Sequence, residues 1–320
     1  MRILSLFDGM SCGQIALRDM GIVPEVYYAS EVDKFAIAQT QLNFPDTIQL
    51  GDVRLVDPTQ LGHIDLLIGG SPCQSFSFAG KRVGMATKEN EKVLTLDRYL
   101  ELKEQGFEFE GQSYLFWEYM RILTELRRLN PNVKFLLENV KMKKEWEAVL
   151  TEAIGVPGVH INSALVSAQN RKRIYWTNIG EIAQPEDRGL LLRDVLQTEV
   201  DEKYFLSIQD DKYKHVKILN GGCIGGTYRA FKDERCFRPF RSSEKSVSIM
   251  ARARMDGCGQ ACCKIIINGE PRIRRLTPTE CARLQTIPEW YTWQCSETQQ
   301  YKMLGNGWTV EVIKHIFSYL

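Results

Sequence analysis

The feature that most constrains this 320-residue chain is a run of short apolar stretches, each followed by a turn signal or a helical pattern. RILSLF (2–7) precedes the helical GQIALRDM, and VYYASEV (26–32) precedes DKFAIAQTQLNF. TIQLGDV (47–53), IDLLIGG (64–70) and VKFLLEN (133–139) follow. SYLFWEYMRILTELRRL (113–129) is apolar at helical spacing and is ended by Asn130-Pro131. Strand–helix alternation of this kind predicts an α/β fold, a Rossmann-like doubly wound parallel sheet with both faces covered. INSALVSA (161–168) and RIYWTNIG (173–180) read as two further strands. The short link between them predicts an antiparallel pair at a sheet edge.

Two stretches break the pattern. Residues 81–112 are charged and separate the fourth strand from its helix, as a lid or a partly ordered connection would. After residue 180 glycine pairs appear (Gly221, Gly222, Gly225, Gly226), arginines are spread evenly, and helical periodicity fades. This reads as a second, irregular domain. Between Cys223 and Arg275 twelve Lys/Arg face five Asp/Glu, the local excess expected of a nucleic-acid footprint or of a solvated surface. Helical character returns at TPTECARLQTI, with Thr277 at the N-cap and Pro278 in the first turn. The last helix, about 309–320, is apolar enough to pack back on the first domain.

Composition sets the class. Hydrophobic residues make up 44% and charged residues 25%, as in ordinary globular proteins. No apolar run reaches the roughly 18–20 residues that span a bilayer, and MRILSLF is too short for a signal-peptide core, so a cytoplasmic location is expected. Nine cysteines in such a compartment are expected to be reduced thiols. Cys258, Cys262 and Cys263 cluster without a CxxC or a nearby histidine, so no metal site is expected.

In doubly wound sheets ligands bind at the carboxyl ends of the strands, and the unusual residues of this chain collect there. FDGMSCG follows the first strand, with Gly9 and Gly13 able to admit a ligand close to the backbone. Glu31 ends the second strand, where an acid can accept from both ribose hydroxyls. Asp52 ends the third, where it can accept from an adenine amino group. Each of these acids also has a plain reading as a solvated loop carboxylate. There is no GxxxxGK[ST] and no complete GxGxxG, which favours a cofactor with a ribose and an adenine but no phosphate. The fourth strand delivers Pro72-Cys73 and the fifth delivers Glu138-Asn139-Val140, while QNRKR (169–173) adds Arg171 and Arg173. Taken alone, Cys73 is a packed thiol, a metal ligand or a nucleophile. QNRKR alone is a solvated basic run, and ENV a helix cap.

Taken in order, FDGMSCG, EVD, GDV, GGSPCQSFS, LFWEYMRIL, LLENV, QNRKR, RRLTPTECARLQ and LGNGW resemble the DNA (cytosine-5)-methyltransferases over essentially the whole chain. The FDG loop and Trp308 are similar to the mammalian de novo enzymes, and the compact length to bacterial or viral members. The resemblance implies the S-adenosylmethionine-dependent methyltransferase fold. Residues 1–180 plus 302–320 would form the catalytic domain and 181–301 a smaller target-recognition domain. It implies Cys73 as nucleophile toward cytosine C6, Glu138 at N3, Arg173 at O2, and Arg171 steadying the site. It implies S-adenosylmethionine as donor, held by Phe7, Asp8, Gly9, Gly13, Glu31, Val32, Asp52, Val53, Pro72 and Asn306. FSFAGKRVGM (76–85) resembles a loop that closes on a flipped base, with Lys81 and Arg82 meeting phosphates. Double-stranded DNA is the implied partner, a cognate restriction endonuclease is a further one, and a monomer is expected. Two residues depart from the family pattern: Ser11 stands where glycine is usual, and Trp308 where a small aliphatic residue is usual. A tRNA cytosine-5 methyltransferase is the alternative within the fold. An inactive binding module would lack Pro-Cys or Glu-Asn-Val, and a structural zinc protein would need a fuller ligand set.

Overall fold

The computed structural model describes residues 1–72, 93–109, 111–205, 216–218, 230–231, 234–237, 240–241, 244–251, 262–267 and 270–320. Cys73, the loop 76–85 with Lys81 and Arg82, the four glycines of 221–226 and Cys258 lie outside the described residues.

The chain folds into two compact units, Met1–Ile161 with Lys172–Gln184 and Lys314–Leu320, and Asn162–Arg171 with Pro185–Ile313. The first unit is built on a seven-stranded sheet. Its strands are β1 (Arg2–Leu6), β2 (Val26–Ser30), β3 (Ile48–Gln49), β4 (Leu66–Gly70), β5 (Lys134–Val140), β6 (Val159–Asn162) and β8 (Lys172–Thr177), with β7 (Gln169–Asn170) apart from it. The order is β3-β2-β1-β4-β5-β8-β6. β1 to β5 run parallel, and β8 runs antiparallel to β5. The order reverses between β1 and β4, so the crevice for a ligand opens above those two strands.

Strand alternation sends successive side chains to opposite faces. Leu4, Leu6, Leu67, Phe135, Leu137, Ile174 and Trp176 share one buried cluster with helices α4 (Phe116–Leu129) and α5 (Lys144–Ile154). Within α4, Phe116, Trp117, Tyr119, Met120, Ile122, Leu123 and Leu126 are buried at the i, i+3, i+4, i+7 spacing of an apolar stripe. Large apolar side chains buried in this way stabilise the fold by about 1.5–3 kcal/mol each. On the opposite face lies α1 (Cys12–Asp19), where a Cβ on Gly13 would fall 2.4 Å from Ile68 Cδ1. α2 (Lys34–Asn43) is capped by Asp33, whose carboxylate accepts from Phe35 N. At the C-terminus Ile316 and Phe317 are buried, and Tyr319 packs beside Gly180.

Three expectations needed correction. The third strand spans two residues rather than 47–53, because Asp52 caps a single 3-10 turn (Val53–Leu55) that ends it. The stretch 161–168 is not a strand: β6 ends at Asn162, whose side chain accepts from Ala164 N and starts a 3-10 turn. Its neighbour β8 covers 172–177, and β6 lies beyond it at the sheet edge. The charged stretch 81–112 contains a helix, α3 (Leu96–Glu104), capped by Thr95 and burying Tyr99 and Leu102.

The second unit is irregular. Its strands are β9 (Val216–Ile218), β10 (Ala230–Phe231), β11 (Glu234–Phe237), β12 (Phe240–Arg241), β13 (Ser246–Val247), β14 (Cys262–Ile267) and β15 (Glu270–Arg275). They form small sheets, and β13 pairs with β7. Helix α6 (Pro278–Leu284) begins in a capping box, with Thr277 Oγ1 accepting from Glu280 N and Glu280 accepting from Thr277 N. Glu280 also takes a two-point contact from buried Arg274 at 2.6 and 2.7 Å. α7 (Glu297–Asn306) and the first half of α8 (Val310–Phe317) complete the unit.

Candidate active site

The carboxyl ends of β1, β2 and β3 carry three acids held in different ways. In the loop after β1, Phe7, Gly9 and Ser11 all have left-handed backbone, with φ of 59°, 59° and 64°. Gly9 adopts this freely, whereas Phe7 and Ser11 are strained, at about 1–3 kcal/mol each. This explains why glycine suits position 11. Ser11 is tolerated there with its hydroxyl accepting from Gln14 Nε2 at 3.0 Å. Asp8 N donates to Ser30 O at 3.2 Å, and Gly9 N donates to Glu31 at 2.8 Å. Val32 N and Asp33 N donate to the other Glu31 oxygen at 2.7 and 2.8 Å. Glu31 is thus oriented by main chain, while Val32 beside it is 70% exposed.

Asp8 accepts from Tyr27 Oη at 2.9 Å, and its Oδ2 is buried without a hydrogen-bond partner. Burial pushes the Asp8 carboxyl up to about 6, and the charge of Glu31 acts in the same direction. Asp52 is gripped by Arg54, with Nε at 3.0 Å from Oδ1 and 2.9 Å from Oδ2. Hydrogen bonding from Arg54 and the nearby charges of Arg54 and Lys103 hold its carboxyl below the usual range, against the effect of partial burial.

A second cluster stands at the ends of β4 and β5. In the antiparallel β5–β8 pair Glu138 opposes Tyr175 and Val140 opposes Arg173. Arg173 is therefore the same-face diagonal neighbour of Glu138. Its Nε lies 2.8 Å from Glu138 Oε1, with both side chains largely buried. Asn139 points to the other face and is 1% exposed. Its Nδ2 donates to Ser71 Oγ at 3.0 Å and Ser71 O at 3.3 Å, fixing the residue before Pro72. Gly70 pairs with Glu138, so Pro72 leaves the sheet beside the Glu138–Arg173 pair.

The Gln-x-Arg-x-Arg spacing divides its labour. Gln169 and Arg171 belong to the second unit and Arg173 to the first. Arg171 is 2% exposed. Its Nη1 donates to Ser248 Oγ and Ile249 O, and its Nη2 to Gly305 O at 3.1 Å and Gly307 O at 2.8 Å. The last two carbonyls flank Asn306, which is exposed at the end of α7. Gln169 donates to Leu284 O and Gln285 Oε1, and Gln285 in turn donates to Leu304 O and Gly307 O. Trp308 is half-buried next to this turn.

Sequence reasoning brought Phe7, Asp8, Gly9, Glu31, Val32, Asp52, Val53, Pro72, Glu138 and Arg173 to the strand ends of the first unit. It missed Tyr27, the partner of Asp8, because an alternating strand pattern does not say which tyrosine meets which acid. It also missed Glu118 and Arg121, which read as the polar face of an amphipathic helix.

Compared with known proteins, residues 1–154 and 163–320 match the family described as C-5 cytosine-specific DNA methylase. The chain is similar to the type II methyltransferase M1.ScrFI of Lactococcus lactis subsp. cremoris, 29% identical, with 98% of this chain and 76% of that protein covered. It is also similar to the type II methyltransferase M.HhaI of Haemophilus parahaemolyticus, 24% identical, covering 99% and 93%. The solved S. pombe Dnmt2 methyltransferase shares the fold, with a TM-score of 0.67 at 16% identity over 99% of this chain and 97% of that one.

Proposed function

Because the chain belongs to the C-5 cytosine-specific DNA methylase family, we propose that it methylates C5 of cytosine within a specific short sequence of double-stranded DNA. The donor in this reading is S-adenosylmethionine, and the reaction runs through a covalent bond between Cys73 and C6. The observation that carries it is the Glu138–Arg173 pair, fixed at 2.8 Å where β4 releases Pro72.

C5 of cytosine is a weak nucleophile inside an aromatic ring. Addition of the Cys73 thiolate at C6 places electron density on C5 and toward N3. Glu138 holds N3 and its proton as that density shifts, a contribution of about 10²–10⁴-fold for a well-placed acid or base. Arg173 binds O2 while keeping the Glu138 carboxyl in place. Asn139 fixes Ser71, and so the direction in which the chain leaves β4. Once C5 has taken the methyl group, with the donor left as a neutral thioether, water takes the C5 proton, N3 returns its proton to Glu138, and the Cys73 thiolate is expelled as the ring is restored. The base must leave the duplex to be reached, which takes a few kcal/mol. The segment 181–301, with its basic stretch between Cys223 and Arg275, is assigned to reading the target sequence.

The strand ends suit a nucleoside cofactor with a cationic tail. Glu31 is preoriented for ribose hydroxyls, the exposed Val32 side chain offers an apolar surface for a flat base, and Asp52 is assigned to the adenine amino group. The orphaned buried oxygen of Asp8 suits a positive group. When bound, S-adenosylmethionine supplies a methyl group made electrophilic by its sulfonium. Phe7, Gly9, Val53 and Pro72, which follow the strand ends, and Gly13 in the first turn of α1 are assigned to the cofactor, as is Asn306, whose flanking carbonyls accept from Arg171. Arg171 itself is a positioning residue.

Expression in a host lacking cytosine methylation, followed by bisulfite sequencing, tests the reading. Protected cytosines in one consistent sequence context are expected. Unprotected genomic DNA, with methylated cytosine found only in tRNA, would transfer the assignment to the tRNA reading.

A further inference from the structure

We propose that Glu118 is a positioning residue for cofactor binding, through which helix α3 holds the turn that carries Asp52. The inference rests on the assignment of Asp52 to the cofactor's adenine.

Glu118 lies on α4, is 0% exposed, and keeps its carboxylate inside the core. A buried carboxylate persists only when donors surround it. Here they come from two directions. From α3, Tyr99 Oη donates to Oε1 at 2.6 Å, and Lys103 Nζ bonds the same oxygen. From α4, Arg121 Nε donates to Oε2 at 2.6 Å. Arg121 then reaches past Glu118, its Nη2 donating to Val56 O at 3.0 Å and Val53 O at 3.2 Å. These carbonyls bracket the 3-10 turn that Asp52 caps through Arg54 N. The path runs without a gap from Tyr99 and Lys103 through Glu118 and Arg121 to the backbone on which Asp52 sits.

A buried ion pair that served only to hold two helices together would end at Arg121. This one ends on main-chain oxygens of a cofactor-binding turn. Glu118 fixes the guanidinium plane, and the plane fixes the turn. A shift of a few tenths of an ångström there displaces the Asp52 carboxylate from an amino donor. The charged stretch that contains α3 thereby acquires a role: it buttresses the adenine end of the site.

The test measures S-adenosylmethionine affinity by calorimetry, together with separate kcat and KM values for cofactor and DNA. Tyr99→Phe and Lys103→Met each remove one donor from the far side of Glu118; Tyr99→Phe leaves the charges around Asp52 unchanged and is the discriminating variant, whereas Lys103→Met also removes a charge that acts on Asp52. In each, cofactor Kd and KM are expected to rise about tenfold, the equivalent of one lost net hydrogen bond. At saturating cofactor, kcat and the DNA KM should stay within about twofold of the parent. Glu118→Gln should give a larger shift of the same kind, and if it does not fold the two α3 variants still decide. Glu125→Ala, on the exposed side of α4, should change nothing. Folded α3 variants with parental cofactor affinity would overturn the proposal, as would cofactor and DNA KM rising together with a falling Tm. Asp52→Ala separates the two layers. If it binds cofactor as the parent does, the Asp52 assignment falls and this inference with it. If it binds weakly while the α3 variants do not, only this inference falls.

Discussion

The two arginines of QNRKR look alike in the sequence and do different work in the fold. Arg171 is buried among four acceptors, so Arg171→Ala should destabilise the protein by about 3 kcal/mol or more, which a denaturant titration would measure. Arg173 sits at a strand tip against Glu138. Arg173→Ala leaves the largely buried Glu138 carboxylate without its guanidinium partner, so the denaturation midpoint should fall and kcat should drop by about 10²-fold in the protein that remains folded. Asp8 supplies a pH signature. Its carboxyl titrates near 6 because burial disfavours the charge. Between the ordinary value near 3.8 and 6 the folded chain keeps a proton that the unfolded chain has lost. Stability from this group therefore declines as pH rises through that window and is constant above it. A cationic cofactor prefers the ionised form, so S-adenosylmethionine affinity should rise with pH through 6 and level off, and Asp8→Asn should flatten that profile.

Most elements of the first unit were legible because period and punctuation agree. Apolar runs bounded by glycine and proline became strands, and α4 ended at Asn130-Pro131 as its sequence implies. The failures share one physical cause, a side chain bonding to nearby backbone in competition with the ladder. Asn162 ended β6 in this way and Asp52 ended β3. Helix α3 was hidden because its stability comes from tertiary partners, Glu118 for Tyr99 and Lys103, rather than from an apolar stripe. Its N-cap is correspondingly testable: Thr95→Ala should cost about 1 kcal/mol in a urea titration. Helix α7 depends instead on close approach. A Cβ on Gly305 would fall 2.1 Å from Ala251 N and 2.2 Å from Met250 C, both main chain. Gly305→Ala should therefore exceed the usual overpacking range of about 1–3 kcal/mol or prevent folding, and thermal denaturation would show it.

For the whole molecule, family and fold were readable from the ordered motifs, and the matched family and the sheet order agree with that reading. For the candidate site, the position of each named acid and of Pro72 near a strand end was readable. The bonds that aim each group were not, because the Glu138–Arg173 diagonal and the Arg121 contacts depend on register and packing between segments distant in sequence. The central claim is chemical: a cytosine-C5 transfer that passes through a Cys73 adduct. The most direct test incubates the purified protein and S-adenosylmethionine with a duplex carrying 5-fluorocytosine at the target position. Fluorine occupies the place of the proton that must leave, so the adduct cannot collapse. The account predicts a denaturant-resistant protein–DNA complex whose cross-linked peptide contains Cys73, absent in Cys73→Ser. A complex formed equally well by Cys73→Ser, or no complex on a duplex whose ordinary counterpart is methylated, would contradict it.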